Sequence, residues 1–76
     1  MKYVFDFDEE TYIKILNNCN LQEAKDEKLI LELKRAGYTD IEITFKLEKL
    51  GKPISLTTLK RRYTKIYLKI IKYLQM

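Results

Sequence analysis

Apolar residues fall at helical spacing along most of this chain, and each break between periodic stretches carries turn chemistry. The start differs. In "KYVFDFD", Tyr3, Phe5 and Phe7 alternate with Lys2, Val4 and Asp6, a period of two that predicts a short extended arm over residues 1–8. No second strand-like run follows. Asp8 then reads as a helix N-cap with Glu9 and Glu10 in the first turn, and a helix over about 9–17 turns Tyr12, Ile13 and Leu16 inward. "NNCN" ends it. Asn20 and Glu23 have capping-box spacing, so a second helix is expected from there to about Ala36, with Leu29, Ile30 and Leu33 as its apolar stripe. Gly37 stands at the left-handed position after that helix. Thr39 and Glu42 form a full capping box for a third helix, about 40–50, facing inward through Ile43, Leu47 and Leu50. Gly51 stops it and Pro53 prevents continuation. Ser55 caps a last helix over about 56–75.

That last helix has the clearest pattern. At about 100° per residue, Leu59, Tyr63, Ile66, Ile70 and Tyr73 fall in one sector and Arg61, Lys65, Lys69 and Lys72 in the opposite one. The expected fold is all-α: a small bundle of about four helices, with a short N-terminal arm, in one domain spanning 1–76. A chain of 76 residues buries only about 60% of its unfolded surface, so its core is small. With 46% hydrophobic and 34% charged residues it has the composition of a folded domain.

Charge changes the picture more than composition does. Residues 1–32 hold four Lys against eight acids, whereas residues 33–76 hold eleven basic residues against three acids. After Glu48 there is no acid at all. A net −4 half followed by a net +8 half points to a polyanionic partner. The last helix sharpens this. Solvent-exposed helices ordinarily place an acid in the first turn, where backbone N–H groups point outward. Here that turn holds Leu56, Thr57 and Thr58, and Lys60-Arg61-Arg62 follows. The tip is left open for a phosphate, with no carboxylate to repel one.

The order of helix, glycine turn, short capped helix, turn and basic helix is that of a helix-turn-helix, in which the second helix of the pair enters the DNA major groove. The pair here would be residues 39–50 and 55–75. "LILELKRAGYTDIEITFKLEKLGKPISLTTLKRRY" resembles the helix-turn-helix of sigma-factor region four and of response-regulator output domains, over about residues 20–70. Gly37, Thr39, Glu42, Ile43, Thr44, Leu47, Thr58, Leu59, Lys60 and Arg61 carry the likeness. "EKLGKPI" is several residues longer than the family's tight turn, and Thr44 stands where Ala is common. The unbroken last helix is closer to the sigma form. The Ile-, Lys-, Tyr- and Asn-rich character resembles that of small regulators from AT-rich bacteria, phages and mobile elements.

On this reading Thr57, Lys60 and Arg61 are the candidate base contacts, Arg being suited to guanine O6 and N7. Thr39, Lys46, Lys49, Lys52, Ser55, Thr58, Arg62 and Lys65 are the candidate phosphate contacts, and Leu56 and Leu59 are expected to pack inward. Tyr67, Leu68, Ile71 and Leu74 lie outside the narrow inner stripe and are the candidate homodimer surface. The expected function is sequence-specific double-stranded DNA binding, with transcriptional regulation as its use. The alternatives are a protein-interaction module acting on RNA polymerase or another regulator, and a DNA-packaging or recombination accessory factor.

An enzyme is not expected. There is no His, and Cys19 is the single cysteine, so neither an activated nucleophile nor a zinc site is readily assembled. The acids Asp6, Asp8, Glu9 and Glu10 read as helix capping rather than as a metal cluster. No cofactor is expected. Apolar runs are too short to cross a membrane, and no signal-peptide core is apparent, so the expected setting is the cytoplasm.

Overall fold

A computed structural model describes residues 7–75. The arm expected over residues 1–8 lies mostly outside the described residues. Four α-helices and one short 3-10 turn are present among these residues, with no strand. They are α1 (Glu9–Asn18), the 3-10 turn (Glu23–Lys25), α2 (Glu27–Arg35), α3 (Asp40–Lys49) and α4 (Leu56–Leu74). The fold is therefore the small all-α bundle that the periodicity predicts.

The helix boundaries set by capping chemistry are where the sequence places them. Asp8 accepts the Thr11 N–H at 2.9 Å to start α1. Thr39 and Glu42 exchange side-chain and backbone hydrogen bonds of 3.2 and 3.0 Å to start α3. Ser55 Oγ accepts the Thr58 N–H at 3.1 Å to start α4. Gly37 (φ +96°) and Gly51 (φ +76°) take the left-handed conformation that ends α2 and α3. In each case the residue after the glycine donates back five positions, Tyr38 to Leu33 and Lys52 to Leu47. That is the Schellman pattern, and only glycine adopts its φ without strain.

The second helix is a correction. No Asn20–Glu23 capping box forms, and α2 begins at Glu27. Residues 22–27 instead make one 3-10 turn and then Asp26 at φ +53°, a left-handed residue. The cause is long-range. The side chain of Glu27 is 1% exposed, and its Oε1 accepts both the Gln22 N–H at 2.6 Å and Lys69 Nζ, from α4, at 2.7 Å. A partner 42 positions away in sequence draws this carboxylate inward, and the chain breaks locally to let Gln22 reach it.

The core is one cluster: Ile15, Cys19, Leu21, Ile30, Leu31, Ile43, Leu47, Leu59, Tyr63, Ile66 and Ile70. α2, α3 and α4 each pack on the other two. Four expectations about the inward faces are adjusted. In α1, Ile15 is fully buried while Ile13 is exposed, because the face follows Tyr12, Ile15, Leu16 and Cys19. In α2, Leu31 and Ile30 are buried, and Leu29 and Leu33 only partly. Leu50 and Leu56 are exposed, since both lie at helix ends where the chain turns away from the core.

Polar side chains tie the layers together. Asp40 Oδ1, at the start of α3, accepts Lys34 Nζ from α2 at 3.0 Å and Tyr63 Oη from α4 at 2.8 Å. Burial pushes the Asp40 carboxyl upward, but the two hydrogen bonds together with the charges of Lys34 and Lys60 outweigh it and hold the group below its ordinary value. The Tyr63 hydroxyl is displaced upward by burial first and by its bond to Asp40 second. Arg35, at the end of α2, secures the entry to α1. It donates to the Phe7 carbonyl and to Glu9, and its guanidinium lies 4.5 Å from the Tyr12 ring centroid.

Candidate nucleic-acid interface

The outward side of α4 is built by a single helix whose inner stripe is locked in the core. Leu59 and Ile66 are fully buried, so the rotation of α4 about its axis is determined. Thr57, Lys60 and Arg61, the candidate base contacts, are consequently all exposed on the first two turns. Lys65 and Lys72 extend the basic side along the helix, both exposed. Among the described residues none of Lys60, Arg61, Arg62, Lys65 and Lys72 takes part in a salt bridge. By contrast Lys14, Lys34, Arg35, Lys52 and Lys69 are each paired with a carboxylate.

At the tip, Ser55 and Thr58 use their side chains on each other and on the Thr58 N–H. The N–H groups of Leu56 and Thr57 have no acceptor among the described residues. They point out of a helix end that holds no acid. Such an end attracts anions through its aligned peptide dipoles.

Lys69 does not belong to this surface. It turns to Glu27 on the flank of α4 nearest the start of α2. At about 100° per residue that flank also carries Thr58 and Arg62, and Arg62 is half-buried there. The opposite flank carries Lys60, Tyr67, Ile71 and Leu74, while Leu68 lies on the outward side in line with Arg61, two turns further along. Of the four candidate dimer residues, Leu68 and Leu74 are exposed, whereas Tyr67 and Ile71 are half-buried. Tyr67 packs against the core cluster.

The candidate phosphate contacts divide into groups. Lys52 and Arg62 line one pocket between the 3-10 turn and the α3–α4 connection. Lys52 is committed there to Asp26 at 2.8 Å. Ser55 and Thr58 stand at the tip and Lys65 further along the same helix. Lys46 and Lys49 instead line a groove between α2 and α3, with Leu29, Leu33 and Leu50, which no α4 residue borders. Each is held over an aromatic ring at 4.6 Å, Lys46 over Tyr38 and Lys49 over Phe45. Thr39 is engaged in its capping box.

No protein-family model, curated protein or solved structure matches this chain.

Some features escape a reading of the sequence alone. The pair Ile41 and Phe45 is exposed on α3, opposite the buried Ile43 and Leu47. Its i, i+4 spacing was a visible signal. The Glu27–Lys69 pair and the cluster of Lys25, Asp26, Lys52 and Arg62 had no local signal, because each joins distant segments. Cys19 is buried, and burial first of all pushes its thiol pKa up, away from the thiolate form. No group of three or more acids or thiols suited to a metal ion occurs among the described residues, and no helix is long and apolar enough to cross a membrane.

Proposed function

We propose that this protein binds double-stranded DNA in a sequence-dependent way, as a helix-turn-helix in which α3 braces the contact and α4 enters the major groove by its N-terminal end. The observation that carries the reading is the outward side of α4, where exposed, unpaired cations surround an open helix tip without an acid. Arg61 and Lys60, with Thr57 between them and the tip, are the base-reading side chains of this proposal. Lys65 and Lys72 follow the groove wall, where the neighbouring groups are phosphates. Regulation of transcription is the use that this binding serves.

Arg61→Ala and Lys65→Ala then differ in kind. The first relaxes sequence preference and costs about 1–3 kcal/mol at the preferred site. The second weakens all duplexes about equally. Binding to a library of duplex sequences, measured for both variants, separates the two effects. A uniform loss in both would remove Arg61 as a reader.

The proposal extends to a homodimer, because one domain of this size reads few base pairs and two copies are the usual route to specificity. The end of α4, with Leu74 exposed on the flank of Tyr67 and Ile71 and Leu68 exposed on the outward side, supplies apolar surface for it away from the tip. Sedimentation equilibrium at micromolar concentration checks this. A single 9.2 kDa species, with and without DNA, excludes the dimer. If a dimer is present, Ile71→Glu dissociates it without loss of helix content. Contact with RNA polymerase is a second reading, favoured by the exposed Ile41 and Phe45 on α3, and it would show as binding that persists at high salt without DNA.

A further inference from the structure

Between the 3-10 turn, the start of α2 and the α3–α4 connection lies an open pocket of about 250 Å³. Its inner wall includes Ile30 and Leu47, both buried. Around it stand three cations, Lys25, Lys52 and Arg62, and one carboxylate, Asp26. Lys52 and Asp26 form an ion pair at 2.8 Å. Lys25 and Arg62 have no ion-pair partner among the described residues. Two half-buried cations from separate elements thus line one pocket, and neither is ion-paired among the described residues.

Asp26 is the unusual member. It occupies the N-cap position of α2, where an Asp side chain ordinarily accepts a backbone N–H of the first turn. Here it makes no such bond. Its backbone is left-handed at φ +53°, and its carboxylate is directed to Lys52 instead. Asp tolerates this conformation better than most residues, but neither the strain nor the missing cap bond stabilises the helix. What the arrangement does achieve is a carboxylate paired with one of the three cations that line the pocket, leaving the other two without a carboxylate partner among the described residues.

We infer that this pocket is a seat for a phosphate group, gripped by Arg62 and Lys25, and that Asp26 holds Lys52 until the phosphate replaces it. Arg62, half-buried at the pocket, carries a planar fork suited to phosphate oxygens. Arg62 lies one turn beyond Thr58 on α4, so the seat adjoins the open tip of that helix. The inference rests on the DNA-binding reading when the phosphate is one of the duplex backbone. A phosphate carried by a small molecule has the same chemistry, and the two sources are separated by the choice of probe.

Two probes are used on the full chain: random-sequence duplex DNA followed by fluorescence anisotropy, and inorganic phosphate followed by backbone amide NMR shifts. The variants are Asp26→Asn, Lys52→Gln, Arg62→Gln and the double variant Asp26→Asn/Lys52→Gln. Asn accepts the left-handed backbone, and circular dichroism verifies folding. Asp26→Asn is expected to tighten binding and to steepen the duplex log–log salt slope by about 0.9, one added phosphate contact. Its advantage over the unmodified protein then shrinks about threefold between 50 and 200 mM salt. Arg62→Gln weakens binding, and the advantage of Asp26→Asn disappears when Lys52 is Gln. Phosphate alone is expected to shift the amides of Lys25, Asp26, Lys52 and Arg62. Shifts with phosphate but no duplex binding support the seat and remove the DNA reading. Duplex binding that Asp26→Asn and Arg62→Gln leave unchanged keeps the DNA reading and overturns the seat. An Asp26→Asn effect of equal size in the Lys52→Gln background is a general charge effect and also overturns it, as does the absence of any response to both probes.

Discussion

Duplex DNA binding by this protein is expected to weaken about 10²–10³-fold between 50 and 200 mM salt, as counterions released by roughly four to six phosphate contacts are recaptured. The number of contacts follows from the structure. Lys25, Arg62, Lys65 and Lys72 have no salt-bridge partner among the described residues, and Lys52 becomes available if Asp26 lets it go, whereas Lys60 and Arg61 are the proposed base-edge contacts. Five phosphate contacts put the slope of log affinity against log salt at about −4.5, at about −0.9 per contact. Lys69 is left out of that count because Glu27 already neutralises it, and Lys34 and Arg35 because Asp40 and Glu9 do. Anisotropy titrations of a labelled random duplex pool at several salt concentrations test this directly. A flat profile, or no binding at the lowest salt, would sink the proposed function.

The second large effect concerns stability. Replacing Lys69 by Met is expected to destabilise the fold by about 3 kcal/mol, the lower end of the range for breaking a buried ion pair. Glu27 is 1% exposed and would keep only the Gln22 N–H as a donor, an insufficient partner for a buried carboxylate. The lower end applies because the Lys69 side chain is 28% exposed, so some water reaches the site once it is gone. A domain this small has a total stability of only about 5 kcal/mol, and such a loss would leave about 2 kcal/mol, with a few per cent of the molecules unfolded. Replacing both partners, Glu27→Leu with Lys69→Met, is expected to recover most of the loss, since no charge is then left buried. Urea unfolding followed by circular dichroism measures both. A change below about 1 kcal/mol in the single variant would mean that the pair contributes little.

The bearing of this pair on the candidate interface is geometric. Glu27 and Lys69 join the start of α2 to the fourth turn of α4, while Lys34, Asp40 and Tyr63 join the end of α2 and the start of α3 to its middle. With Leu59, Ile66 and Ile70 in the core, these contacts set how far and at what rotation the basic side of α4 is presented.

How much of this was legible beforehand depends on the range of the interaction responsible. Features decided within four or five residues could be read directly. The capping box of Thr39 and Glu42, the Ser55 cap, the glycine stops at 37 and 51 and the inner stripe of α4 all depend on neighbouring groups along one helix. The exposure of Thr57, Lys60 and Arg61 belongs with them, because it follows from the stripe by rotation. Charge segregation is a property of composition and needs no fold. Features decided between segments could not be read. Nothing near Glu27 announces that Lys69 will draw its carboxylate into the interior and split the expected second helix into a 3-10 turn and a shorter α2. The same holds for the gathering of Lys25, Asp26, Lys52 and Arg62 at one pocket and for the diversion of Lys46 and Lys49 to another groove. Local chemistry set four helices, the caps of α1, α3 and α4, and the basic side of α4 apart from Lys69. Tertiary structure alone decided which charges are spent on one another and which remain open to a partner, because pairing requires two groups to meet in space and sequence distance does not predict that meeting.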